Sequence, residues 1–156
     1  MPHLESISPS TMYLVLNYGV LPFWMLLLIL PHAKITEALV HSVVMPLVLG
    51  MTYAWLLATA MSGTPALPEG AGFASLGALM KTFTSETALV AGWAHYIVFD
   101  LFVGAWQARD AQRAGLHHIL LAPCLVVTLL VGPIGLLLYL MVRGISGRGG
   151  FSLFEG

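Results

Sequence analysis

The sequence contains very little charge. Only 8% of its 156 residues are Asp, Glu, Lys or Arg, whereas an average soluble domain has about 25%. Hydrophobic residues make up 58% of the chain. The six Lys and Arg residues are scattered, which argues against nucleic-acid binding. This composition indicates an integral membrane protein.

Cysteine is almost absent as well, since Cys124 is the only one. A single cysteine excludes an internal disulfide and a thiolate-clustered metal site. The sequence also has no P-loop, Rossmann glycine pattern or nucleophile elbow. It has six histidines, but its apolar segments hold no His-x-x-His or Glu-x-x-His pair of the kind found in di-iron bundles. We therefore predict no metal site, and a metal near His41 is the less favoured alternative.

Long apolar segments, by contrast, are plentiful. Four of them have the length of roughly 20 residues that a hydrocarbon core of about 30 Å requires. They cover residues 9–30, 37–61, 86–108 and 118–142. Only helices and closed barrels satisfy their backbone hydrogen bonds in lipid. The sequence thus predicts an all-α polytopic membrane protein with four transmembrane helices in an antiparallel bundle. We expect residues 1–143 to form one transmembrane domain and residues 144–156 a flexible tail.

The longest connection, residues 62–85, begins with turn-forming residues. In its second half, apolar residues recur at helical spacing, which predicts a short amphipathic helix at the membrane surface between the second and third spans. An irregular loop packed on the bundle is the alternative. The apolar positions are Phe73, Leu76, Leu79, Met80 and Phe83.

Orientation in the membrane depends on the Lys and Arg residues of the connections, and their counts tie. Three lie on each side of the predicted bundle: Lys34, Arg109 and Arg113 against Lys81, Arg143 and Arg148. The N-terminal residues lack the basic start of a signal peptide and the arginines of a transit peptide. We therefore expect a retained first helix and a bacterial inner (cytoplasmic) or intracytoplasmic membrane.

Asp100 lies in the middle of the third apolar segment. A charged group at the bilayer centre costs roughly 2.5 to 3.5 kcal/mol on the insertion scale, so such a residue normally faces the interior of a bundle. At 100° per residue it shares a helix face with Trp93, Tyr96 and Gln107. We expect this carboxyl group to act as a general acid or base.

Other polar residues complete a predicted pocket lined by aromatic side chains. His41 precedes Pro46, which is expected to kink the second helix and leave the carbonyl group of Ser42 free beside the histidine. Asn17 could equally be a structural interhelical hydrogen-bonder, and His95 a histidine bonded to a neighbouring helix. The candidate catalytic residues are Asp100, His95 and His41, and the candidate substrate-binding residues are Trp93, Tyr96, Gln107, Asn17, Tyr13, Trp55 and Thr128.

Several motifs together resemble one family. They are Trp93-Ala-His-Tyr, Phe99-Asp-Leu-Phe-Val-Gly-Ala-Trp106, Ala122-Pro-Cys-Leu and Gly132-Pro-Ile-Gly-Leu-Leu-Leu-Tyr139. In this respect the chain is similar to the abscisic-acid-deficient-four-like family, the neoxanthin synthesis proteins of plants. The resemblance implies a four-helix integral membrane protein. In plants the family is required to convert violaxanthin, an epoxidised carotenoid, into neoxanthin.

That conversion rearranges an epoxide into an allenic alcohol without net redox change. Acid-assisted opening of the epoxide and loss of a proton would suit Asp100 together with His95 or His41. We therefore expect the chain to bind a carotenoid or related isoprenoid within the membrane, and whether it also isomerises this ligand is left open. Membrane lipid and the carotenoid are the expected partners. No cofactor is predicted, and a bound carotenoid or lipid is left open.

The alternative is a non-catalytic subunit or assembly factor of a pigment-containing membrane complex, of the photosynthetic or rhodopsin type. In that case the partner would contact the stripe formed by His95, Phe99, Phe102 and Trp106. A small transporter is disfavoured because no inverted repeat is detectable in the sequence.

Overall fold

The computed structural model describes residues 7–62, 66–148 and 152–153, and this part of the chain contains six α-helices and no strand. The helices are α1 (Pro9–Ile29), α2 (Lys34–Leu39), α3 (Val44–Ser62), α4 (Leu76–Thr82), α5 (Glu86–Arg113) and α6 (His118–Ile145). Four stretches are long and apolar enough to cross a membrane: Pro9–Ile29, Lys34–Ser62, Glu86–Arg113 and His118–Ile145. The predicted all-α fold with four helical stretches able to cross a membrane is confirmed, and α4 is the short helix expected between the second and third of them.

Local sequence explains where α4 and α5 begin and end. Ser75 caps the start of α4, because its side chain accepts a hydrogen bond from the backbone nitrogen of Ala78 at 3.2 Å. Gly115, with φ +65°, follows the end of α5, where the backbone nitrogen of Leu116 donates to the carbonyl oxygen of Ala111 at 2.8 Å. Since α5 continues to Arg113, residues expected in a connection are helical.

The second membrane segment is interrupted at residues 40–43, between α2 and α3. Ser42 supports this break, since its hydroxyl donates to the carbonyl oxygen of Ala38 at 2.6 Å and accepts from the nitrogen of Val44 at 3.2 Å. Pro46 lies in the first turn of α3, where a missing N–H removes no helical hydrogen bond. The prediction that Pro46 kinks a continuous helix is therefore wrong: the helix has already been broken before the proline.

The chain divides into two compact units, and each unit has its own buried hydrophobic core. The first unit contains the residues up to Val20 and Leu47–Val98, and the second contains Leu21–Pro46 and the residues from Phe99 onward. Buried core residues of the first unit are Met12, Leu16, Val20, Leu49, Leu56, Ala60, Ala88, Val90, Ala91, Ala94 and Ile97. Those of the second unit include Trp24, Leu27, Leu101, Ala105, Ala108, Ala111, Leu121, Cys124, Leu125 and Tyr139.

Within the second unit, α6 is not a straight helix. Val131 (φ −147°, ψ 44°) and Gly132 (φ 9°, ψ −82°) depart from helical geometry. A Cβ atom on Gly135 would overlap the backbone of Thr128, although residues seven apart in a straight helix are separated by about 10 Å along its axis. We call residues 118–145 the α6 hairpin, because two helical arms, 118–130 and 133–145, fold back on each other at this step.

The contact between the two ends of the α6 hairpin requires the same reversal. Arg148, just beyond the last helical residue, donates to the carbonyl oxygen of Gly115, just before the first, at 2.5 Å. A straight helix of 28 residues would hold these ends about 42 Å apart. Pro133 suits the start of the second arm, because a proline at the first position of a helix loses no intrahelical hydrogen bond.

Candidate functional site

The predicted site residues fall into two groups, one in each unit. In the first unit, Trp93 is the centre of an aromatic cluster. Its ring centroid lies 5.8 Å from that of Tyr13, with the planes tilted by 40°, and 5.2 Å from that of Tyr96, with the rings stacked at 23°. Offset and tilted arrangements at these distances are favourable aromatic contacts. The cluster therefore forms an aromatic wall of one tilted and one stacked ring pair.

Asn17 orients the indole of Trp93. The side-chain amide of Asn17 donates to the carbonyl oxygen of Tyr13 at 2.7 Å, one helical turn earlier. This leaves its Oδ1 atom to accept from the Nε1 atom of Trp93 at 3.3 Å. All three residues are candidate substrate-binding residues, and that role stays a prediction. Asn17 is thus a hydrogen-bonder between helices α1 and α5 as well as a neighbour of the aromatic wall.

Two members of this cluster, Tyr13 and Trp93, border a cavity of about 310 Å³ between the first two turns of α1 and of α5. This volume lies at the lower end of the range for small-molecule sites, about 300 to 1,000 Å³. Its carboxylate, Glu86, begins α5, where the helix dipole favours a negative charge. We call this cavity the aromatic groove; its lining consists of Pro9, Ser10, Tyr13, Glu86, Leu89, Val90 and Trp93.

Four other candidate residues of the first unit do not line the aromatic groove: Asn17, Tyr96, His95 and Trp55. His95 is exposed, and its ring packs against that of Tyr53 with centroids 5.5 Å apart. Trp55 is 48% exposed on α3. Because none of these four lines the cavity, the structure brings together Tyr13, Trp93 and their partners but not the whole predicted set.

In the second unit, Asp100 is 8% exposed, so the expectation that this acid is buried is confirmed. Its carboxylate lies against Gly132, at the reversal of the α6 hairpin. A Cβ atom at position 132 would lie 2.8 Å from the Cγ atom and 2.9 Å from the Oδ2 atom of Asp100. The backbone of the hairpin can approach the acid this closely only because residue 132 is glycine.

Gln107 and Thr128 form a buried polar pair between α5 and the first arm of the α6 hairpin. Both are 0% exposed. The Nε2 atom of Gln107 donates to the Thr128 hydroxyl at 3.0 Å, and this hydroxyl lies within donating distance of Gln107 Oε1 (3.1 Å) and of the Cys124 carbonyl oxygen (2.8 Å). Since their polar groups satisfy one another, the pair joins the two elements. A role for these residues in binding a substrate stays a prediction.

His41 joins two elements of the second unit through both of its ring nitrogens. Its Nε2 atom is 3.1 Å from the carbonyl oxygen of Pro31, and its Nδ1 atom is 3.4 Å from the Nη1 atom of Arg109. A carbonyl group can only accept and a guanidinium can only donate, so the histidine donates through Nε2 and accepts at Nδ1. A base role for His41 would require it to release Arg109.

A buried charge cluster lies near the C-terminal end of α5. Asp110 is 2% exposed, and it accepts hydrogen bonds from Arg113 at 2.8 Å and from the Tyr139 hydroxyl at 2.5 Å. It also forms an ion pair with Arg143, whose Nε atom lies 2.7 Å from its Oδ2 atom. Trp106 packs edge-on against Tyr139, with centroids 5.6 Å apart. We call these five residues the Asp110 cluster, and it attaches the second arm of the α6 hairpin to α5.

Comparison with known proteins identifies the family to which the sequence is similar. The profile of the ABA DEFICIENT 4-like family matches residues 11–139. The chain belongs to this family. Every predicted site residue of this ABA DEFICIENT 4-like protein lies inside the matched region, from Tyr13 to Thr128. The family resemblance drawn from the sequence motifs is confirmed.

A curated relative of this ABA DEFICIENT 4-like protein is Protein ABA DEFICIENT 4, chloroplastic, from Arabidopsis thaliana. The two are 32% identical over 148 residues, which is 87% of this chain and 62% of the relative. The chain thus spans about 62% of the length of the relative it matches. No solved structure matches it. The four apolar helices agree with a membrane location, but the relative is named as a chloroplast protein, so a bacterial membrane stays a prediction.

The Asp110 cluster of this ABA DEFICIENT 4-like protein was not predicted from the sequence. Asp110 was placed in the connection after the third span because charges begin there, whereas the helix continues to Arg113. The i,i+3 spacing of Asp110 and Arg113 is the feature that could have indicated a helix. Among the residues that the structure describes, no group of three or more His, Cys, Asp or Glu side chains is placed to hold a metal ion.

Proposed function

We propose that this ABA DEFICIENT 4-like protein binds a carotenoid or related isoprenoid, with one cyclic end group in the aromatic groove. The observation that carries the proposal is the pair of aromatic faces, Tyr13 and Trp93, that border this cavity. Flat conjugated molecules are well matched by aromatic walls, because stacking adds to the free energy gained from apolar burial. Membership of the family supports a ligand of this class.

The size and polarity of the groove support a partial rather than a complete enclosure of the ligand. A cavity of about 310 Å³ suits one substituted ring and not a whole polyene. The remaining chain of the ligand would extend into lipid, where exposing its apolar surface carries no free-energy penalty. Ser10 and Glu86 line the same cavity and provide hydrogen-bonding groups for a hydroxylated ring.

Isomerisation is a separate part of the proposal, with Asp100 as its acid acting outside the aromatic groove, which Asp100 does not line. The protonated carboxyl group would give its proton to an epoxide oxygen, and one carbon–oxygen bond would break, leaving a hydroxyl group on the other carbon. Loss of the proton from the neighbouring vinylic carbon would then form the second double bond of an allene. The product has the same atoms as the substrate, so no oxidant or reductant is needed. His95, His41 or the Asp100 carboxylate itself would accept the second proton.

Binding is tested by purifying the protein from membranes that contain an epoxidised carotenoid and recording its absorption spectrum. We expect the wild type to retain the polyene and Trp93→Ala to lose most of it. Trp55→Ala is the matched control, because this tryptophan is exposed and does not line the groove. A colourless wild-type preparation would rule the binding proposal out.

Isomerisation is tested separately on the variants that still bind. Purified protein is incubated with the epoxidised carotenoid, and a product of equal mass is sought by chromatography and mass spectrometry. We expect turnover by the wild type and none by Asp100→Asn, which should keep its bound polyene. Binding without turnover in the wild type would leave the ligand assignment in place and refute the catalytic step.

A non-catalytic subunit of a pigment-containing complex is the second candidate function. It is favoured by exposed aromatic side chains on α5, namely Phe99 at 55% and Phe102 at 52%. Such side chains could contact pigment or a partner protein within the membrane. This function predicts that Phe99→Ala with Phe102→Ala abolishes co-purification of a pigment complex, while Asp100→Asn leaves it intact.

A further inference from the structure

The α6 hairpin is long enough in sequence to cross a membrane, but neither of its arms is. Each arm has about 13 residues, so it extends about 20 Å, whereas the hydrocarbon core is about 30 Å thick. We propose that the α6 hairpin is re-entrant: it enters the membrane after the connection at residues 114–117, turns at Val131–Gly132, and leaves on the side from which it entered.

Contacts at the turn, along the second arm and between the two ends of the hairpin stabilise this folded-back arrangement. Near the turn, the backbone at Gly132 lies against Asp100. Further along the second arm, the Tyr139 hydroxyl donates to Asp110, and Arg143 forms an ion pair with the same carboxylate. At its end, Arg148 donates to the carbonyl oxygen of Gly115 at 2.5 Å. Irregular backbone is tolerated at membrane depth where protein buries it or where it lines a water-filled cavity. Gly132 is buried, whereas the apolar Val131 is 47% exposed.

The distribution of positive charge supports the re-entrant path independently of these contacts. In a straight four-span arrangement the Lys and Arg residues divide equally between the two sides. When α6 turns back, Arg143 and Arg148 join the side that already has Lys34, Arg109 and Arg113, and Lys81 alone remains on the other. Cytoplasmic connections carry an excess of Lys and Arg, so this asymmetry also assigns the basic side to the cytoplasm.

Cysteine labelling tests the path, and the chain is well suited to it. Its single cysteine, Cys124, is replaced by alanine, and one cysteine is then introduced at a time. The probe sites are His117→Cys before the hairpin, Leu153→Cys after it, and Ala74→Cys in the connection before α5; all three positions are exposed. A membrane-impermeant maleimide is applied to intact bacterial spheroplasts that express the full chain, and again after lysis.

We expect Ala74→Cys to be labelled in intact spheroplasts, and His117→Cys and Leu153→Cys to be labelled only after lysis. Labelling of Leu153→Cys on the same side as Ala74→Cys would overturn the proposal. If a variant fails to accumulate, trypsin digestion of vesicles containing the wild type gives a second measurement. Cleavage after the exposed Arg148 should then occur only when the side carrying His117 faces the protease.

Discussion

The hydroxyl group of Tyr139 donates a hydrogen bond to the Oδ2 atom of Asp110 at 2.5 Å, and Arg143 binds the same oxygen through Nε at 2.7 Å. Tyr139 and Arg143 are one turn apart on the second arm of the α6 hairpin, and Asp110 is on α5. A buried carboxylate with these partners connects the far end of α6 to the helix that carries Asp100. The stability of this connection can be measured.

Replacement of Arg143 by methionine should lower the free energy of unfolding by about 3 to 5 kcal/mol, because it leaves Asp110 buried with one cation fewer. Arg113→Met is the matched control, since Arg113 binds the same carboxylate but its side chain is 36% exposed, and it should cost less than about 1 kcal/mol. Thermal unfolding in detergent compares the two. Equal losses would show that burial does not determine the strength of this pair.

Gly132→Ala should destabilise the hairpin turn, because the added methyl group would occupy the position of the Asp100 carboxylate. Overpacking of this kind costs typically 1 to 3 kcal/mol. Gly144→Ala, in the same hairpin, is the control, since a Cβ atom there has no neighbour within 4 Å. Unfolding temperatures of the two variants and of the wild type provide the measurement. An unchanged Gly132→Ala protein would contradict the close approach of this turn to Asp100.

Gln107 and Thr128 should be energetically coupled. Gln107→Leu and Thr128→Val each leave a buried polar group without its partner, whereas the double variant removes both. We expect the double variant to be more stable than the sum of the two single losses predicts. The coupling should be about 0.6 kcal/mol and at most about 1.7 kcal/mol, as for other hydrogen bonds inside membrane bundles. A double-mutant cycle of unfolding free energies measures it, and strict additivity would disprove it.

Gly104 should be intolerant of alanine, because a Cβ atom there would lie 2.7 Å from two ring carbons of the buried Trp24. We expect overpacking to outweigh the gain of about 1 kcal/mol that alanine brings to a helix interior. Gly50→Ala, on α3, gains the same helix propensity and meets nothing within 4 Å. The two variants should therefore shift the unfolding temperature in opposite directions, and a shift in the same direction would refute this account.

Hydropathy and the cost of a buried acid were sufficient to predict the helical membrane fold and the burial of Asp100. The pairing of Asn17 with Trp93 also agrees with the helix faces inferred from sequence. The reversal of α6 could not be predicted from hydropathy, because one long span and two short arms require the same apolar residues. A Gly-Pro step such as Gly132-Pro133 permits a bend but does not set its angle. The angle depends on contacts with residues more than 20 positions away, such as Asp110.

The length of α1 affects how the protein fits a bilayer differently from that of α6, because α6 folds back on itself. With 21 residues, α1 extends about 31 Å, close to the thickness of an average hydrocarbon core. The α6 hairpin can deform to suit a thinner or thicker bilayer only by changing its depth, whereas α1 has to tilt or leave apolar side chains in water. Hydrophobic mismatch is therefore expected to act on α1 more than on the α6 hairpin, and membranes of different thickness should change the tilt of α1.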